Sequence, residues 1–173
     1  MVRIRRAYDG LADEYARHLF NELRDKPLDR KMLDRFAQQV YERGKVCDLG
    51  CGPGQVARYL SEHGVDVFGV DLSRRMIRIA RQLSPKIPFR TGNMLSLTLG
   101  DSSFARIAAF YAIVSIPREL IGTVFKEMAR VLQPNGVLLL SFHIGDQVLH
   151  VDELWGKLTS LDFLFRCRIS NPS

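Results

Sequence analysis

Residues 46–54 read Val-Cys-Asp-Leu-Gly-Cys-Gly-Pro-Gly, and this stretch constrains the fold more than any other. An apolar run meets glycines at alternate positions, Gly50, Gly52 and Gly54, and a helical pattern from Gln55 to His63 follows at once. Glycine lets a backbone turn this sharply and leaves bare peptide for a ligand to lie against. The helix behind the turn would offer free N–H groups and the positive end of its dipole. A second apolar run ends at Asp71, where a carboxylate can accept hydrogen bonds from ribose hydroxyls. A strand, a glycine loop, a helix, a second strand and an acid make a nucleoside site.

Spacing narrows the nucleoside. A dinucleotide fingerprint requires Gly-x-Gly-x-x-Gly. Counted from Gly50, the third glycine falls on Gln55; counted from Gly52, it falls on Ala57, a variant some dehydrogenases tolerate. The Gly-x-x-x-x-Gly-Lys-Ser/Thr phosphate loop is missing. What stands is Asp48-x-Gly50-x-Gly52-x-Gly54, which resembles motif I of the class I S-adenosylmethionine-dependent methyltransferases.

The rest of the chain is consistent with one domain of 173 residues, 46% hydrophobic and 25% charged. Apolar runs fall short of the roughly 20 residues of a membrane span. The basic start, Met1 to Arg6, is followed by no signal-peptide core, so a cytoplasmic location is expected. Cys47, Cys51 and Cys167 show no zinc spacing and read as reduced thiols used as small residues; no metal is expected. The net charge is +6, and residues 72 to 90 hold six arginines and lysines and no acid. On a helix, Met76, Ile79, Ala80 and Leu83 would form the buried stripe and Arg74, Arg78 and Arg81 the outer face. A solvated basic face is the first reading, a phosphate-binding face the second.

Helical spacing of Tyr8, Leu11, Ala12, Tyr15 and Leu19 predicts a first amphipathic helix. Leu28, Met32, Leu33, Phe36, Ala37 and Val40 predict a second, ended by Gly44. Strands are expected at 45–48, 65–70, 87–91, 104–110 and 137–142, with a long helix from Pro117 and a tight turn at Pro134-Asn135-Gly136. This alternation predicts an α/β fold, a Rossmann-like, doubly wound, mostly parallel sheet with helices on both faces. One domain is expected: N-terminal helices in 1–44, a cofactor-binding core in 45–142 and an extended C-terminal arm in 143–173. In the arm, Val148 to Val151 reads as extended, and Leu161, Phe163, Phe165, Cys167 and Ile169 alternate as a strand with one apolar face.

Other segments resemble the same family, closest in look to the quinone-biosynthesis C-methyltransferase type. Val67 to Ser73 is similar to the stretch whose acid holds the ribose. Gly92-Asn93-Met94 resembles the adenine-touching Gly-Asp-Met, with Asn93 replacing the acid. Glu127 to Gly136 is similar to the helix and turn before strand five. The resemblance implies S-adenosyl-L-methionine as cofactor. It implies contact with the cofactor from Gly50, Cys51, Gly52 and Gly54, with Asp48 orienting the loop or reaching the cofactor amino group. Asp71 would bind ribose, Leu72 and Met94 would sandwich adenine with Asn93 beside them, and Phe110 and Tyr111 would stand at the sheet's carboxyl edge. Tyr8 and Tyr15, on one face of the first helix, would cover the cofactor as a lid; core packing is the equal alternative. His143 is the one candidate base; catalytic residues are otherwise unassigned.

Family members usually continue with another helix and an antiparallel pair completing a seven-stranded sheet, so the C-terminal strands are expected to be truncated. An uncovered fifth strand is a pairing liability, and the C-terminal arm is expected to cover a sheet edge or cross to a second copy in a homodimer. A small-molecule methyl acceptor is the expected partner, with no nucleic acid and no membrane. Against nucleic-acid methylation, Tyr111-Ala112-Ile113-Val114 stands where an Asn/Asp-Pro-Pro-Tyr element would follow strand four. A non-catalytic cofactor-binding or assembly protein is the further alternative, and a dehydrogenase a distant one.

Overall fold

The computed structural model describes residues 1–40 and 44–164, with backbone only at 39 and 40. Helix α1 (Val2–Leu19) and, after a short 3-10 turn at Glu22–Asp25, helix α2 (Pro27–Val40) precede the sheet. Then follow β1 (Val46–Leu49), α3 (Gln55–Glu62), β2 (Val67–Asp71), α4 (Arg74–Leu83), β3 (Phe89–Thr91), β4 (Phe104–Phe110), α5 (Ile121–Val131) and β5 (Leu132–Ser141). Strands β6 (Val148–Leu154) and β7 (Lys157–Leu164) close the described chain.

Five strands pair in parallel in the order β3-β2-β1-β4-β5. All four residues of β1 are buried, because helices cover both faces of the central strands. One core layer gathers Leu33, Phe36, Val56, Leu60, Val67 and Ile77; the other gathers Leu49, Ile107, Val124, Met128 and Val131. Among the described residues, no helix is long and apolar enough to cross a membrane.

Several expected boundaries and faces move. Strands β1 and β2 begin one and two residues later than expected, and β3 starts at Phe89. The helix expected from Pro117 opens as a 3-10 turn, Arg118–Leu120. The Pro134-Asn135-Gly136 turn lies inside β5 as a bulge: Phe104 pairs with Leu132 and Arg106 with Val137. Asn135 takes φ +62 there, and a Cβ on Gly136 would come within 2.8 Å of the Gln133 carbonyl oxygen. In α2, Leu33, Phe36 and Ala37 are buried, but Leu28 and Met32 face solvent. In α4, Ile77 is buried while Leu83 is 44% exposed, so the stripe is rotated from the expected one.

Part of the basic segment from residue 72 to residue 90 is engaged within the fold. Arg81 donates twice to the Phe89 carbonyl, Arg75 pairs with Asp13 of α1, and Arg90 donates to the Thr98 carbonyl. Arg74, Arg78 and Arg81 are exposed, as the expected outer face requires, and the Arg81 guanidinium also ties α4 to β3.

The C-terminal segment corrects the expected arm. Strands β6 and β7 form an antiparallel hairpin turned at Trp155-Gly156, separate from the main sheet. Leu164 N–H donates to the Val114 carbonyl, Arg3 of α1 pairs with Asp162, and the Trp155 ring stacks on His18 at 4.8 Å. The hairpin therefore leans on α1 and leaves the outer side of β5 unpaired among the described residues. Phe165, Cys167 and Ile169 of the expected strand lie outside the described residues.

Candidate functional site

Strands β1 and β4 lie side by side, and their connections leave in opposite directions, one to β2 and the other to β5. Such a reversal opens a crevice beyond the carboxyl ends of the strands. A cavity of about 80 Å³ lies there, between the glycine loop, the end of β2, the segment after β4 and the covering helix α1.

The three glycines serve different ends. Gly50 turns at φ +76, and a Cβ on it would stand 2.5 Å from the Ala112 Cβ, so a side chain cannot fit between the loops after β1 and β4. Gly54 is the left-handed N-cap of α3, packed against the Phe89 ring. At Gly52, φ +52, the nearest atoms to a built Cβ are Gln55 Oε1 at 3.7 Å and Tyr15 Cε1 at 3.8 Å. Gly52 alone of the three presents bare backbone to cavity space; Gly50 lines the cavity too, but its close approach is to protein.

Asp71 ends β2 at the cavity wall. Its two oxygens accept from the Gly52 N–H at 2.9 Å and the Ser73 N–H at 2.7 Å, so the acid clasps the glycine loop to the start of α4. Burial pushes its pKa up to about 6, against these two hydrogen bonds. Ser73 caps α4 by accepting from the Met76 N–H, and its hydroxyl donates to Asp9 of α1 at 2.6 Å. Asp48 is buried beneath the loop and does not reach the cavity lining. Burial raises its pKa to about 7, the Ala57 N–H lowers it, and one oxygen is left without a partner. Its position is that of a loop-orienting group.

Of the residues expected at the site, Gly50, Gly52, Asp71, Leu72, Met94, Phe110 and Tyr111 line the cavity, as do Tyr8 and Tyr15 of α1. The Tyr8 hydroxyl bonds with the Ser115 hydroxyl at 3.0 Å, and burial raises its pKa. Cys51 points into the core, with its Sγ beside Gly69, and burial raises its thiol pKa well above the usual range. Asn93 turns its carbonyl oxygen to the Leu95 N–H and does not line the cavity. His143 does not line it either; its ring lies 5.0 Å from that of Tyr111.

Tyr111 is strained. It adopts φ +50, which a bulky side chain seldom takes. Its N–H donates to both the carbonyl and the hydroxyl of Ser141, and Lys26 Nζ stands 5.2 Å from the ring centroid. Such strain, held by surrounding contacts, concentrates at functional sites. Sequence reading missed Met1, Ile4, Gln55, Met76, Ala112, Ser115 and Ile116 of the lining. Gln55 was legible as the first residue after the last glycine; the others depend on where α1 and the β4 segment come to rest.

The methyltransferase-domain family matches residues 46–136, which carry β1 through the bulge of β5. YqeM of Bacillus subtilis (strain 168) is 33% identical over 154 residues, 83% of this chain and 58% of that protein. A malonyl-[acyl-carrier protein] O-methyltransferase of Enterobacter lignolyticus (strain SCF1) is 26% identical over 149 residues, 86% of this chain and 57% of that protein. Among solved structures, the PH0226 protein from Pyrococcus horikoshii OT3 aligns with a TM-score of 0.69 at 25% identity, covering 90% of this chain and 84% of that one. The chain belongs to the class I S-adenosylmethionine-dependent methyltransferases. It spans about half the length of the curated relatives it matches.

Proposed function

We propose that this chain binds S-adenosylmethionine in the cavity beyond β1 and β4 and transfers its methyl group to a small molecule. The observation that carries the reading is Gly52: bare backbone facing cavity space, with its N–H held by Asp71 at the end of β2. The ribose lies against Asp71, whose carboxylate keeps acceptor capacity beyond the two N–H groups. Leu72 and Met94 flank the adenine, and Phe110 and Tyr111 border the methyl end. Gly50, Cys51, Gly54, Asp48 and Asn93 act by shaping the loops around the cofactor.

The sulfonium already makes the methyl group electrophilic. Holding an acceptor in line with it and excluding water supplies most of the rate. His143, packed on Tyr111, takes the proton where the acceptor must lose one. The space now under α1 is smaller than the roughly 300 Å³ at which small-molecule sites begin. Tyr8 and Tyr15 therefore work as a lid that withdraws to admit the cofactor and closes over it. Support for a small acceptor comes from the largely apolar lining on the α1 side, from Arg75 and Arg81 being tied within the fold, and from relatives named malonyl-[acyl-carrier protein] O-methyltransferase and demethylmenaquinone methyltransferase.

We further propose a cytoplasmic homodimer. The unpaired side of β5 and the exposed Val148, Leu149 and Leu158 of the hairpin favour a second copy as cover. Light scattering should report about twice the chain mass of 19.7 kDa; a monomer at high concentration ends that part of the reading.

Methyl-labelled S-adenosylmethionine incubated with quinols, acyl thioesters and oligonucleotides in parallel tests the activity. Label should pass to a member of the first two sets. Label passing only to oligonucleotides overturns the small-molecule reading.

A further inference from the structure

Gln55 is the first residue of α3, is 9% exposed and lines the cavity. Its amide is oriented by a neighbour that can only accept. Nε2 donates to Glu22 Oε1 at 3.3 Å, and Glu22 is in turn fixed by Lys26, whose Nζ lies 2.6 Å from Oε2. A carboxylate selects the NH₂ side of an amide, so the oxygen must face the other way. That oxygen has no hydrogen-bond partner and lies 3.7 Å from where a Cβ on Gly52 would stand. A buried, unpartnered acceptor is costly, and native structures rarely keep one without a use. Here it faces the one stretch of loop backbone left bare.

From this we infer that Gln55 Oε1 receives the α-ammonium group of the cofactor's methionine moiety. The inference rests on the cofactor reading above. An ammonium group has three donors and no acceptor, so it matches a lone carbonyl oxygen, whereas a carboxylate would be repelled by it. The Lys26–Glu22–Gln55 chain acts as a tether: Glu22 holds the amide the right way round, and Lys26 neutralises Glu22. Because Glu22 lies on the turn between α1 and α2, the same tether links the covering helices to the occupied end of the cavity.

The test is calorimetric, with two ligands and two proteins. S-adenosylhomocysteine carries the ammonium group; its desamino analogue keeps the carboxylate and lacks it. Gln55→Met preserves the length of the side chain and removes both amide groups. It should bind S-adenosylhomocysteine about five- to tenfold more weakly than wild type, the loss of one hydrogen bond to a charged group. Its affinity for the desamino analogue should equal that of wild type, which also shows that the site is intact. Glu22→Gln lets the Gln55 amide turn over and should give a smaller loss confined to the same ligand. Equal affinities of Gln55→Met and wild type for S-adenosylhomocysteine would overturn the inference. So would an equal loss for both ligands, since Gln55 would then be shaping the cavity in general. Wild-type protein that binds neither ligand would overturn the cofactor reading itself, and the inference with it.

Discussion

The floor and the roof of the cavity are built differently. The floor is the loop between β1 and α3. Its strand is wholly buried, its turns are at positive φ, and Gly50 leaves no room for a methyl group against Ala112. The roof is α1 with the β6–β7 hairpin leaning on it. It is fastened by the Tyr8–Ser115 hydroxyl pair, the stacked His18 and Trp155, and exposed ion pairs from Arg3 and from Asp13. Exposed pairs contribute little, typically about 0.2–1 kcal/mol each. Backbone geometry and close packing fix the floor, while the roof buries only a few side chains, Leu11 and Ala12 of α1 and Leu161 of β7, and is otherwise fastened by polar and ring contacts. A ligand site of this design keeps its recognition surface constant and lets its cover move.

The largest effect should come from breaking the floor. Gly50→Ala combines a disfavoured φ with a clash at 2.5 Å, and should cost about 3 kcal/mol of stability by chemical denaturation. Gly52→Val is the contrasting change. Its neighbours lie at ordinary contact distance, so the fold should survive at a cost of roughly 1–2 kcal/mol while cofactor binding is lost. Two glycines two residues apart would then separate stability from binding. If Gly50→Ala is as stable as wild type, the floor is more yielding than its geometry implies.

Asp71 joins the floor to the cofactor. Asp71→Ala should weaken S-adenosylhomocysteine binding by about 1–3 kcal/mol in a calorimetric titration, and unchanged affinity would remove the acid from the ribose site. The pH dependence has a definite sign. Burial raises the folded pKa from 3.8 to about 6, so the acid takes up a proton as pH falls through that value. The ionised form is the better acceptor for ribose, and affinity should fall between pH 7 and pH 5. Stability should move the other way. A carboxyl whose folded pKa lies above its unfolded value favours the folded state at low pH, and this contribution disappears as pH rises from about 4 to about 6. Binding that is level from pH 7 to pH 5 would contradict the assignment.

These effects also mark what the sequence made legible. The floor could be read because glycine spacing and an acid at a strand end are local features, and central parallel strands are continuous apolar runs. Strand β4 was expected at the residues where it is found, and seven of the eleven expected loop and strand-end contacts line the cavity. Cys51 and Asp48 share the motifs but turn inward, and Asn93 bonds within its own turn; the side-chain direction of a loop residue is set by packing that no motif records. The roof was harder to read. The Leu161 alternation does form a strand, but its pairing with Val148–Leu154 depends on the Trp155-Gly156 turn, and its seat on α1 depends on long-range contacts such as Arg3 with Asp162. The bulge in β5 hid behind a Pro-Asn-Gly signature that ordinarily ends a strand.

The smallest effects should come from the roof. Arg3→Ala removes an exposed partner of Asp162 and should change stability by less than about 0.5 kcal/mol. Asp162 also bonds His150, whose pKa is raised by hydrogen bonds to Asp162 and Asp152. Histidine with a raised folded pKa supports the hairpin fully below its unfolded value near 6.5, and the support is lost as pH rises through the folded pKa. Amide protection factors, which take out the intrinsic base catalysis of exchange, should therefore fall in residues 148–164 above neutral pH while those of β1 stay constant. Protection that falls equally in β1 would erase the distinction between floor and roof.

The central claim is that the cavity above Gly52 takes S-adenosylmethionine. Titration of wild-type protein with S-adenosylhomocysteine and with NAD, side by side in a calorimeter, tests it most directly. S-adenosylhomocysteine should bind with micromolar affinity, about −8 kcal/mol, and NAD should give no heat of binding. NAD binding without S-adenosylhomocysteine binding would contradict the account.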